Sequence, residues 1–189
     1  MNVQRHYLRA PVQDEIVYVC DEYVLKGKCV NISIGGLLLS DLGRVPDSNM
    51  FSILLPLIQY PDFGKTSHKK TLAMDRSSLE IEIVRANVEI VRSFEGHSDI
   101  EKVLVNNFGT RFTHLESVDK SLILSFVQTF TKNLIHLLTL FESHGSRGAN
   151  IAYLRKVSSL LGYNGQAKLA VLRQEVLHDY QSLIDTSEQ

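Results

Sequence analysis

The spacing of apolar residues changes period once along this chain, near Ser117, and that change restricts the fold more than any other feature. Before it, apolar and β-branched residues fall in short runs over 16–23, 29–33, 37–39, 51–57, 79–92 and 108–115. Within 79–92 they alternate in places (Leu79, Ile81, Ile83; Val88, Ile90), which predicts a long or bent strand with one solvated face. Turn-forming residues separate the runs. Lys26-Gly27-Lys28 reads as a turn, Gly35-Gly36 breaks the second run, and Pro46-Asp47-Ser48-Asn49 forms a turn cluster. Pro56 and Pro61 close the run at 51–57. Five or six short strands without intervening helices predict a small antiparallel barrel.

After Ser117, a suitable N-cap with Asp119 in the first turn, the period becomes helical. Leu122, Phe126, Phe130, Leu134, Leu137, Leu138 and Phe141 recur at three- and four-residue steps. The other faces of this helix (about 119–141) also carry Ile123, Val127, Ile135 and Leu140, so it needs a second cover. Gly145-Ser146-Arg147-Gly148 breaks the chain. Two further helices follow, over about 150–161 and 166–184, separated by Gly162 and Asn164-Gly165. That pair, a second copy of the chain or a protein partner would cover the long helix. The expected division is a barrel over 1–118 and a helical extension over 119–189.

With 189 residues and 44% apolar content the chain can bury a real core. Its formal net charge of −1 gives no global basic field, which argues against bulk DNA or RNA binding, so an anion site must be local. No apolar run reaches the roughly 18 residues of a membrane span, and residues 1–11 are polar and basic, unlike a signal peptide; membrane insertion is not expected and a cytoplasmic setting is. A hairpin centred near Val24-Leu25 would bring Cys20 and Cys29 across from each other, near enough for a bridge. In a reducing cytosol two small buried apolar residues are the favoured reading. The segment 59–78 holds Lys65, His68, Lys69, Lys70 and Arg76. It reads as a solvated loop in preference to a phosphate clamp. The seven histidines show no metal-ligand spacing, and no nucleophile or acid/base motif points to an enzyme.

Two signatures carry chemistry. Arg5-His6-Tyr7-Leu8-Arg9 places guanidiniums four residues apart, and Asn31-Ile32-Ser33-Ile34-Gly35-Gly36 follows a strand into a turn. Arginine can form two hydrogen bonds to the O6/N7 edge of guanine or grip a phosphate with its planar fork. Asparagine and serine supply short donors and acceptors, and glycine lets backbone approach a ligand closely. In their order, with 22 positions from Arg9 to Asn31, these signatures resemble the PilZ family. Its members carry Arg-x-x-x-Arg before the first strand and Asp/Asn-x-Ser-x-x-Gly after the second. Asn107-Phe108-Gly109-Thr110-Arg111-Phe112 looks like the family's late Gly-x-Arg-Phe strand, and the resemblance covers about residues 1–130.

The resemblance implies a fold that is mainly β with C-terminal α: a six-stranded antiparallel PilZ-type barrel, followed here by a helical extension outside the family pattern. It also implies cyclic di-GMP as ligand, with Arg5, Arg9, Asn31, Ser33, Gly35 and Gly36 as binding residues at one rim. Arg111 would either reach the ligand or face water. The expected function is a non-enzymatic receptor that turns second-messenger level into a changed protein contact. Its output would go to an effector or to self-association through 119–184, in settings such as motility or biofilm regulation. The alternative is a nucleotide-independent adaptor acting through the helical tail, as family members of type IV pilus assembly do. A third reading, a barrel binding single-stranded nucleic acid through Tyr7, Tyr18, Tyr23 and Phe51, is disfavoured by the charge balance.

Overall fold

The computed structural model describes residues 7–97, 104–143 and 151–184. Six strands close into a barrel: β1 (Ala10–Cys20), β2 (Tyr23–Ser33), β3 (Gly36–Ser40), β4 (Met50–Ile58), β5 (Ile81–His97) and β6 (Leu104–Leu115). Their order around the wall is β1-β2-β3-β6-β5-β4, so the barrel expected from the strand runs is the one found. The ladders of β1 with β2, β2 with β3, β3 with β6, β5 with β6 and β1 with β4 are all antiparallel. β5 returns along β4, with Ile90 N donating to Asn49 O and Gln59 N to Glu80 O, each at 2.8 Å. Alternation sets the core: Ile16, Tyr18 and Cys20 on β1, Ile53, Leu55 and Leu57 on β4, and Val84, Ala86 and Val88 on β5 are buried.

The first hairpin differs from its expected form. Cys20 pairs with Tyr23, so the turn is Asp21-Glu22, and Lys26-Gly27-Lys28 lies within β2. Asp21 takes the left-handed conformation at φ 53°, which aspartate tolerates better than most residues. Gly27 lies beneath a side chain rather than in a turn. A Cβ there would run into Leu42 and lie 3.5 Å from the Tyr18 ring. The shifted hairpin also separates the cysteines: Cys29 pairs with Asp14, and both thiols are free and buried. Burial pushes the Cys29 thiol upward, away from the reactive thiolate.

The chain groups into two compact units, with the boundary inside the long helix between Ser125 and Phe126. One contains the barrel, as Arg9–Leu57 and Ile81–Ser125. The other unites Ile58–Glu80 with the helical residues from Phe126 onward. The helices are α1 (His68–Ala73), α2 (Ser117–Ser143), α3 (Ile151–Leu160) and α4 (Leu169–Ile184).

Residues 59–78 are exposed at Lys65, His68, Lys69 and Lys70, as a solvated loop would be, but their backbone is docked on the helices. Asn133, fully buried on α2, clasps their backbone: its Nδ2 donates to Pro61 O and its Oδ1 accepts from Phe63 N, both at 2.9 Å. The Tyr153 hydroxyl donates to Phe63 O (3.2 Å), and the His68 ring stacks on Tyr153 with centroids 3.9 Å apart. Tyr60 packs on Phe126 and Phe130. Sequence spacing missed this docking because isolated side chains such as Asn133, Tyr153, Phe63 and Tyr60 carry it, and no apolar repeat within the segment does. The same packing covers much of α2: Phe126, Val127, Phe130, Leu134 and Leu137 are buried, as are Leu154, Val157, Leu172 and Val176 on α3 and α4. Ile135 stays exposed, and Leu140 is half-buried. Among the described residues no helix is long and apolar enough to cross a membrane.

Candidate functional site

The β2–β3 connection is a two-residue turn, Ile34-Gly35, with Ser33 paired to Gly36 across it. The Ser33 hydroxyl donates to Gly36 O (3.2 Å) and accepts from Gly35 N (3.3 Å). Ser33 is therefore buried and engaged in holding the turn, the local reading of a strand-ending serine. The turn rests directly on β6. Phe112 N donates to Gly35 O (3.1 Å), while the Thr110 hydroxyl donates to Leu37 O (3.1 Å) and accepts from Leu37 N (3.3 Å). Gly36 has no room for a side chain: a Cβ would overlap Thr110 O and lie 2.8 Å from Thr110 C and 3.0 Å from Arg111 Cα. Its glycine identity is thus explained by strand packing, whatever ligand approaches the turn.

Register gathers the remaining motif residues beside this turn. Ala10 pairs with Ile32 and Pro11 with Asn31, so Arg9, one residue before β1, comes alongside Ser33 at the end of β2. Asn31 also pairs with Leu38 on β3. Ala10, Ile32, Leu37 and Thr110 are buried in the barrel, so by alternation Arg9, Asn31 and Arg111 face outward. Arg9 and Asn31 are half-buried, while Arg111 is exposed. Arg5 lies outside the described residues. The structure therefore brings Arg9, Asn31, Ser33, Gly35, Gly36 and Arg111 to one outer corner across four neighbouring strands.

Arg111 already has a partner: its Nη2 donates to Glu89 Oε2 at 2.6 Å. Glu89 is the residue directly opposite on β5. Sequence reading overlooked it, since only the β5–β6 register joins positions that far apart. An exposed cross-strand pair of this kind contributes about 0.2–1 kcal/mol, so a dianionic ligand can compete for the guanidinium. Two arginines, an amide and a tight glycine turn form a patch suited to binding an anion with hydrogen-bonding edges. Among the described residues no cluster of three or more His, Cys, Asp or Glu is placed to hold a metal ion.

A separate groove of about 400 Å3 lies elsewhere on the outer barrel wall, lined by Val17, Val19, Val24, Leu54, Arg85 and His114 among others. None of the motif residues lines it. Its size therefore says nothing about the corner near Gly36.

No protein-family model matches the sequence, and no curated protein does. Solved structures resemble it at low identity. Bacillus subtilis MotI/DgrA, an inhibitor of motility, aligns at 10% identity and a TM-score of 0.44, covering 66% of this chain and 49% of that one. The PilZ domain of YcgR from Escherichia coli, with c-di-GMP, aligns at 10% identity and 0.44, covering 68% and 91%. MrkH from K. pneumonia, in complex with c-di-GMP, aligns at 11% identity and 0.39, covering 75% and 53%. The chain spans about half the length of MotI/DgrA and MrkH.

Proposed function

We propose that the protein is a non-enzymatic, cytoplasmic receptor of the PilZ type for cyclic di-GMP. The observation that carries this reading is the convergence at one corner of Arg9, Asn31, the Ser33–Gly36 turn and Arg111, from both ends of the barrel sequence. The ligand offers two phosphates and two guanines, each with a Hoogsteen edge. Arg9, together with Arg5, supplies neutralising charge and planar forks, and Asn31 matches a guanine edge. Ser33 and Gly35 act by shaping the turn against which the ligand lies. Arg111 joins the site by exchanging Glu89 for ligand.

In this reading the helical extension over 119–189 is the output portion, passing the ligand state to an effector or a second copy, with motility or biofilm control as the cellular setting. The nucleotide-independent adaptor reading loses much of its motive, since most of the apolar residues that suggested it are buried within the helical unit.

Titration calorimetry with cyclic di-GMP tests the proposal on wild type and on Arg5→Ala/Arg9→Ala. Each lost charge-assisted contact removes about 1.5–3 kcal/mol, so the double variant should lose micromolar binding altogether. Absence of heat with wild type, or equal affinity in both, refutes the receptor reading.

A further inference from the structure

Arg92 is an exposed cation outside the motifs, and its surroundings are built around it. It sits on β5 directly opposite Gly109 of β6. Gly109 in turn pairs with Leu38, and Leu38 with Asn31. Asn31, Leu38, Gly109 and Arg92 thus form one row across β2, β3, β6 and β5, next to the row that holds Arg111 and Glu89. A register shift between Ile90 and Arg92 makes this possible: the extra residue, Val91, is passed over and Arg92 is turned to face Gly109. Bulges of this kind commonly re-aim a side chain beside a functional site.

Gly109 is buried although it lies on the outer wall, because the Arg92 side chain covers it. A methyl group at 109 would stand 2.7 Å from Arg92 Nε and 2.8 Å from Cγ, so only glycine lets the arginine lie flat on the strand. The guanidinium carbon is 5.2 Å from the centroid of the half-exposed Phe94 ring, a second surface that orients the plane. Arg111 has Glu89 as its counter-ion, whereas among the described residues Arg92 has no carboxylate partner. A guanidinium oriented in this way on the face that carries Asn31 is equipped to meet an anion.

We propose that Arg92 is a further ligand-binding residue. It extends the corner site along the Asn31–Gly109 row and contacts a phosphate of the dinucleotide that Arg9 does not reach. This inference rests on the cyclic di-GMP reading above.

The test is calorimetric titration of cyclic di-GMP into wild type, Arg92→Ala, Arg92→Lys and Gly109→Ala, with thermal midpoints measured on each. Arg92→Ala should weaken binding about tenfold or more at an unchanged midpoint, and should flatten the dependence of affinity on salt. Arg92→Lys should recover part of the loss, since it keeps the charge but not the planar fork. Gly109→Ala should weaken binding with Arg92 still present, by displacing its side chain. Wild-type affinity in Arg92→Ala overturns the assignment while leaving the receptor reading intact. No binding by wild type instead overturns the receptor reading itself.

Discussion

The barrel and the helical unit solve the same backbone problem in opposite ways. In the barrel, strand ladders satisfy most N–H and C=O groups, and a few side chains such as Ser33 and Thr110 finish the turns. Outward side chains there are not needed to complete the ladders, and Asn31 and Arg111 are among them. In the helical unit the stretch 58–80 combines the short helix α1 with turns and has few ladder bonds. Turn and helix bonds satisfy part of its backbone, and side chains reaching from elsewhere, Asn133 and Tyr153, hold Pro61 O, Phe63 N and Phe63 O. The candidate ligand groups thus lie where the backbone is self-sufficient, and fragility is expected at Pro61 and Phe63, where side chains hold the backbone.

The largest effect should come from the one place where the barrel breaks this pattern. Gly36 has β6 backbone where a side chain would begin, and backbone cannot swing aside as a flexible side chain can. Gly36→Ala should cost about 3 kcal/mol or more by forcing β3 from β6. Gly43→Ala, with nothing within 4 Å of the added methyl, is the matched control and should change stability by about 0.5 kcal/mol or less. Denaturant midpoints measure both. A mild Gly36→Ala would show that the turn yields, and that the corner is less rigid than its contacts imply.

The two units also differ in how far the sequence announces them. Apolar runs and turn residues mark the strands of the barrel, although the run 16–23 crosses the Asp21-Glu22 turn and misses the first half of β1. They fail at Lys26-Gly27-Lys28, where a glycine chosen for clearance beneath Leu42 looks like a glycine chosen for a turn. Helical periodicity likewise finds α2, α3 and α4. The clasp on 58–80 leaves no periodic trace, since Asn133 sits among the apolar positions of α2 as a lone amide. At the corner, motif spacing picks out Arg9, Asn31 and Arg111. Glu89 and Arg92 emerge only from the β5–β6 register, which includes shifts that sequence spacing does not reveal.

Asn133→Ala gives the next effect in size. It leaves the buried Phe63 N–H without its acceptor and Pro61 O without its donor, which should destabilise the protein by about 2–4 kcal/mol. Hydrogen exchange should speed up across 58–80 while the β1–β2 ladder stays protected. Equal loss of protection in both regions would erase the contrast between a self-sufficient barrel and a clasped segment.

The smallest effect is a pH dependence confined to the clasped region. His136 Nε2 lies 3.3 Å from the Tyr153 hydroxyl that holds Phe63 O. Burial holds the His136 pKa below its usual 6.5; Asp62 opposes this in part, and repulsion from His68 adds to it. The folded protein then binds fewer protons than the unfolded chain between the lowered value and 6.5. Stability from this group is complete above 6.5 and declines as pH falls through the folded value. Urea midpoints should therefore drop on acidification from pH 7.5 through that window, and His136→Gln should flatten the slope while keeping a donor for Tyr153. An unchanged slope in the variant would mean that the ring serves only to pack. The clasp would then be as indifferent to protonation as the ladders of the barrel.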